Sequence, residues 1–204
     1  MKFGIKADEM TKGMTDGIAK VAKSQIEYLT GIRNMLEALK AIEGIGDLEI
    51  GVKVGIKYNE NDENSVEKSL TLEDVVNLKR GKIFLAETNP DAKKKIEEDI
   101  GKNTNTKLQE RFGENSDFYL KMFGKDGFTY DSEADSAVLE GIVNFGERVG
   151  NLTSEQWQAL GTMMIDRVKE GAKPEEYRAA VLEFLNTFDP NSIEGIDILE
   201  ATNI

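Results

Sequence analysis

Neither cysteine nor histidine occurs among the 204 residues. Without cysteine there are no disulfides, thiolate metal sites or thiol nucleophiles. Without histidine the imidazole base of Ser-His-Asp and Cys-His systems is gone, along with the commonest ligand of transition metals. Carboxylates, Lys, Arg, Tyr and hydroxyls are the chemistry that remains. Proline is scarce, at three residues, while 39% of the chain is hydrophobic and 31% charged. That balance belongs to a folded globular protein, since a disordered chain would be poorer in apolar residues. Tryptophan occurs once, which argues against the aromatic-lined cleft of a two-carboxylate glycosidase. No stretch approaches the roughly 18 consecutive apolar residues that span a bilayer. The opening "MKFGIKADEMTKGM" carries charges where a secretion signal needs an apolar segment. The expected location is the cytoplasm, or a particle assembled there.

Positive charge is in deficit, and unevenly so. Residues 1–58 hold 9 Lys plus Arg against 8 Asp plus Glu, whereas residues 59–204 hold 17 against 30, a balance of −13. A surface of that sign repels phosphate backbones, so direct binding of nucleic acid is not expected, and a basic protein partner would be attracted. A helix-turn-helix at 154–188 is disfavoured on the same ground, because its second helix opens with Glu175 and Glu176 where DNA would lie.

What is present reads first as a helix. From Thr15 to Ile42 apolar side chains recur at three-four spacing, interrupted at Gln25: Ile18, Val21, Tyr28, Ile32, Met35, Leu39 and Ile42. The glycines of "GIG" at 44–46 end it. A strand follows at once, with Leu48, Ile50, Val52, Val54, Ile56 and Tyr58 on one face and Glu49, Gly51, Lys53, Gly55 and Lys57 on the other. "NENDEN" makes the turn, and "SVEKSLTL" returns as the second strand of a hairpin. An isolated hairpin is marginal in water, so its apolar face needs a helix, a sheet or a neighbouring subunit over it. Gly51 and Gly55 on the other face leave room for a second backbone.

The remainder reads as helices with glycine stops. "TLEDVVNLKRG" has acids first and bases last, in agreement with the helix dipole. "NPDAKKKIEEDIG" opens on Pro90 and is expected to end at Gly101, with "KNTNT" as a polar connection. "SDFYLKMFG", capped by Ser116, leads through the turn "KDGFTYDS" to a helix capped by Ser132. Thr153 and Gln156 have capping-box spacing, and Pro174 opens a last helix. The fold class is α+β and predominantly α-helical: a long N-terminal amphipathic helix, one hairpin, then a bundle of about five or six helices. The division expected is an arm, residues 1–72, and an acidic body, residues 73–204, or a single domain enclosing both.

No nucleophile, base and oxyanion site assemble from these motifs, and no cofactor is implied. The oxygen-rich turn offers Asp126, Asp131, Glu133 and Asp135 as candidate ligands for a hard cation or as an acid–base pair. "DPNSIEGIDILE" places Asp189 and Glu200 at the first and twelfth positions of a loop, but Ile193 stands where a calcium loop needs oxygen and Gly195 is one place late. The leading expectation is a non-catalytic assembly or interaction protein, a homo-oligomer or a subunit of a larger particle such as a phage virion, or an assembly factor. Its interaction residues are the helical stripe Ile18 to Ile42 together with Ile50, Val52, Val54 and Ile56. The alternatives are an acidic inhibitor or anti-defence protein occupying a basic nucleic-acid groove on its target, and a small carboxylate enzyme or cation-binding module.

Overall fold

The computed structural model describes residues 39–113 and 117–171, with Glu37, Glu176 and Ala179 singly. These residues form a mixed, mostly helical fold with a small three-stranded antiparallel sheet. The helix expected from Pro174 and the 189–200 stretch fall outside them, apart from Glu176 and Ala179, as do residues 15–36 of the expected N-terminal helix and Ser116. The chain divides into two compact units. One is the continuous stretch Ile45–Asn144, and the other takes the described residues on either side.

In the first unit, a 3-10 turn over Ile45–Asp47 leads into β1, Glu49–Lys57, which is flanked by β2, Val66–Thr71, and by β3, Phe84–Leu85. The alternation in the sequence is realised, with Ile50 and Ile56 buried and Val52 and Val54 half-buried. It is not a regular ladder, however. Glu49 stands opposite Thr71 and Lys53 opposite Ser69, so β1 spends four residues where β2 spends two. The excess sits at Gly51, whose φ of +76° suits glycine. Because the excess is two residues, even-numbered side chains stay on the core face on both sides of the irregularity.

The hairpin loop is held by its own side chains: Asn59 Oδ1 accepts from the Asn61 N–H at 3.2 Å and Asp62 Oδ1 from the Asn64 N–H at 3.1 Å. β2 runs directly into α1, Leu72–Lys79, through a capping box between Thr71 and Asp74. The Asp74 carboxylate is buried and also accepts from Lys68 Nζ at 2.7 Å. Lys68 shares its parity in β2 with the buried Leu70, so it brings a charge to the core side of the edge strand.

The largest departure from expectation is α2, Pro90–Phe112. Asn89 caps it by accepting from Asp91 N–H and Ala92 N–H, and Pro90 opens it as expected. It does not end at Gly101, and "KNTNT" lies within it as about one and a half inner turns. The polar residues that suggested a connection are used inward. Asn103 Nδ2 donates to the Ile50 C=O at 3.0 Å, beside the irregularity in β1. Asn105 Oδ1 accepts from the Tyr119 hydroxyl and from the Phe128 N–H, the latter at 3.1 Å. Gly101 is kept small by a neighbour rather than by a helix end, since a Cβ there would lie 3.1 Å from the Tyr130 Cβ.

β3 was also unexpected from sequence, being too short to show a period. Its approach uses the glycine on the outer face of β1: the Ala86 N–H donates to the Gly55 C=O at 2.9 Å, and a Cβ on Gly55 would meet that of Ala86 at 3.2 Å. Helix α3, Asp117–Phe123, closes one end of the unit with aromatic rings: Phe112 and Phe118 have centroids 4.8 Å apart, and Phe123 meets Phe128 edge-on at 5.9 Å. Helix α4, Glu133–Gly150, starts in this unit, capped by Ser132 Oγ accepting from the Asp135 N–H at 3.1 Å.

In the second unit, Gly44 N–H donates to the Gly146 C=O in α4 at 3.1 Å. Helix α5, Ser154–Lys169, begins at the Thr153–Gln156 capping box that its sequence spacing announced. Trp157, Leu160 and Met164 are buried at helical spacing, as are Leu39 and Ile42.

Two helical glycines should respond oppositely to alanine. Gly141 in α4 has no described residue within 4 Å of an added Cβ, so Gly141→Ala is expected to stabilise by about 1 kcal/mol through helix propensity. Gly101→Ala is expected to lose that gain and lower the urea midpoint, because Tyr130 backbone and Cβ must give way. Equilibrium urea unfolding of both variants checks the contrast.

Candidate interaction surfaces

The stripe residues Ile18, Val21, Tyr28, Ile32 and Met35 lie outside the described residues. Leu39, Ile42, Ile50 and Ile56 are buried within the chain, at most 1% exposed. The hairpin's apolar face is therefore covered in large part by the protein itself, with α2 packed along β1. What remains outside is the far end of the ribbon. There Tyr58 is 61% and Val66 52% exposed, with half-buried Val54 two residues before Ile56 in β1 and Val66 opposite Ile56. Lys68 lies close by, its ammonium pKa raised chiefly by the hydrogen bond to Asp74, against the opposing effect of burial, with smaller contributions from the charges of Asp74, Tyr58 and Glu73.

A second surface follows α2. Two hollows open side by side and share Glu97 and Tyr130 in their walls. The larger, about 570 Å³, runs between the α2 stripe Lys94–Asn105 and the Phe128–Asp131 loop. The smaller, about 330 Å³, has β3 and Ile83 on one side and Lys93 on the other. Tyr130 divides them. Burial and the neighbouring carboxylates of Glu97 and Asp131 push its phenol up to about 12. Lys79 Nζ stands 4.6 Å from the ring centroid and 3.8 Å from Glu133 Oε1, a cation held over a ring and beside a carboxylate.

Sequence reasoning took Tyr130 for a turn residue and missed this surface. The signal that pointed to it was Gly101, a glycine in the middle of an otherwise continuous helix.

The four candidate carboxylates stand in different surroundings. Asp126 is exposed at the turn. Asp131 faces the larger hollow, in company with Glu97 and Glu98, which were not singled out from sequence. Glu133 pairs loosely with Lys79, and Asp135 Oδ2 accepts from the Thr129 N–H at 2.9 Å at the start of α4. Among the described residues no group of three or more Asp, Glu, His or Cys side chains is arranged to hold a metal ion, and no helix is long and apolar enough to cross a membrane.

Comparison of the chain with protein families, with curated proteins and with solved structures gives no match.

Tyr130 supplies a pH test. The folded state favours the neutral phenol, so the stability it contributes is fully present below its ordinary value of 10 and is lost as pH rises through about 12. Alkaline titration at the phenolate absorbance is expected to show a tyrosine ionising near pH 12, and Tyr130→Phe to remove that step. The loss of stability between pH 10 and 12, read from urea midpoints, should be smaller in the variant.

Proposed function

We propose that the protein is a non-catalytic interaction protein that joins copies of itself, as a subunit of a larger particle such as a phage virion or as an assembly factor. The observation that carries this reading is the exposed end of the ribbon, where Tyr58 and Val66 stand in water beside Val54. Apolar surface gathered in one place is characteristic of contact sites, and tyrosine is enriched in them. In this reading residues 15–42 form one long helix, and its stripe from Ile18 to Met35 supplies a second seam between chains. The partners are proteins, and the place of action is the cytoplasm or a particle assembled in it.

A second reading is favoured by one observation, the −13 balance of residues 59–204. It makes the protein an acidic occupant of a basic groove on a nucleic-acid-binding target.

Light scattering on the full chain over a wide concentration range tests the first reading. The wild type is expected to be a defined oligomer, and Tyr58→Ser with Val66→Ser to lower its mass. Both side chains are mostly exposed, so the double variant should leave the thermal midpoint almost unchanged. A wild type that is monomeric throughout overturns the assembly reading; an oligomer indifferent to the double variant overturns the ribbon end as its contact.

A further inference from the structure

The sheet has two edges, and they differ. At the β2 edge Lys68 is turned to the core side and fixed on Asp74 at 2.7 Å, with Glu67 on the opposite face. An inward charge of this kind guards an edge against another strand. At the β3 edge no such guard is present among the described residues.

The direction of β3's backbone groups follows from the ladder. Ala86 N–H donates to the Gly55 C=O, and Leu85 and Phe84 stand opposite Ile56 and Lys57. Residues of an antiparallel ladder alternate between exchanging hydrogen bonds with the partner strand and facing away from it. Gly55 with Ala86 is a bonded pair, so Lys57 with Phe84 is another, and Leu85 between them turns its N–H and C=O outward. Neither group has a hydrogen-bond partner among the described residues.

The space they face is open: Leu85 lines the smaller hollow, whose floor includes Leu78 and Ile83. Past Tyr130 the larger hollow continues along α2 from Lys94 to Asn105, about 16 Å at 1.5 Å per residue. A site this long, with Leu78, Ile83 and Phe84 among charged side chains at a strand edge and a further charged trough beyond, matches an extended peptide rather than a compact small molecule. Five carboxylates line the two hollows, Glu60, Glu87, Glu97, Glu98 and Asp131, against four lysines. The lining itself is close to balanced, and the excess of acid that favours a basic occupant belongs to residues 59–204 as a whole, at −13.

We propose that β3 and the two hollows beside Tyr130 bind an extended segment of a basic partner protein. Its main chain pairs with the N–H and C=O of Leu85, an apolar side chain enters the smaller hollow, and a Lys or Arg side chain reaches Glu97, Glu98 and Asp131. Tyr130 lies between the two subsites, in the wall of both. This surface lies on the β3 side of β1 and Val66 on the β2 side, with Lys57 and Glu60 of the smaller hollow flanking Tyr58 in sequence; its test reads peptide binding, whereas the ribbon-end contact is tested by oligomeric mass.

The experiment is a two-dimensional amide NMR titration of the ¹⁵N-labelled full chain with three capped hexapeptides. The first alternates valine with arginine; the second replaces arginine by glutamate; the third is the arginine peptide with its central amides N-methylated. The arginine peptide is expected to shift the amides of Leu85, Ala86, Tyr130 and Asp131 at about 5 mM, within the weak end of peptide affinities. The glutamate peptide should leave them in place, and N-methylation should weaken the response. Glu97→Gln, Glu98→Gln and Asp131→Asn together should weaken binding about fivefold or more, as loss of exposed ion pairs implies, while the dispersed spectrum shows that the variant is folded. No shift at these amides, equal response to the arginine and glutamate peptides, or undiminished binding by the triple variant overturns the proposal. Equal binding of the N-methylated peptide overturns the strand pairing.

Discussion

The first unit depends on one helix lending amide side chains to backbone that lacks backbone partners. Asn103 of α2 caps the Ile50 carbonyl beside the irregular stretch of β1, and two residues later Asn105 takes up the Phe128 N–H and the Tyr119 hydroxyl. A buried carbonyl or N–H left unmet costs about 1–3 kcal/mol, so these two side chains permit both the break in the ladder and the loop under Tyr130. Between Gly101 and Asn105 the same helix therefore sets the position of the ribbon and of the loop that walls the larger hollow. α2 is amphipathic in an unusual sense: part of its inward face is amide, hydroxyl and glycine, since Gly101 and Thr104 are buried alongside Ile100 and Leu108.

The same economy governs charge. Asp74 is buried but serves three donors: the Thr71 N–H and hydroxyl at the head of α1, and Lys68 from the neighbouring strand. One carboxylate thus starts a helix, ties it to the strand before it and closes a sheet edge. The opposite edge lacks such a device among the described residues and opens onto a hollow. An interaction surface on this molecule is as much a matter of where protection is missing as of what is displayed.

Much of this was legible in the sequence, and what was not has definite causes. The ribbon is plain because period-two alternation over "LEIGVKVGIKY" survives a two-residue excess without changing face. The starts of α1, α4 and α5 are plain because caps are local: Thr71 with Asp74, Ser132 with Asp135, and Thr153 with Gln156 are each three residues apart. α2 was cut short because Gly101 and the run Lys102–Thr106 have the composition of a connection, and only the partners Ile50, Tyr119, Phe128 and Tyr130, distant in sequence, make them helical. β3 was invisible because two residues have no period. The carboxylates of the "KDGFTYDS" turn were noticed as a group, yet the structure divides them between solvent, a lysine, a helix start and the trough where Asp131 meets Glu97 and Glu98. A glycine that fails to end a helix was the best available pointer to that trough.

The irregularity in β1 also bears on how such a strand changes over time. A one-residue insertion would turn every later side chain inside out, placing Gly55 where Ile56 now lies and exposing the core. An insertion or loss of two is silent to the core and alters only the reach of the ribbon and one carbonyl, which a side chain on the neighbouring helix can meet. The ribbon can thus vary its length in steps of two, carrying the Tyr58 end nearer to or farther from the body, while the packing beneath it stays in register.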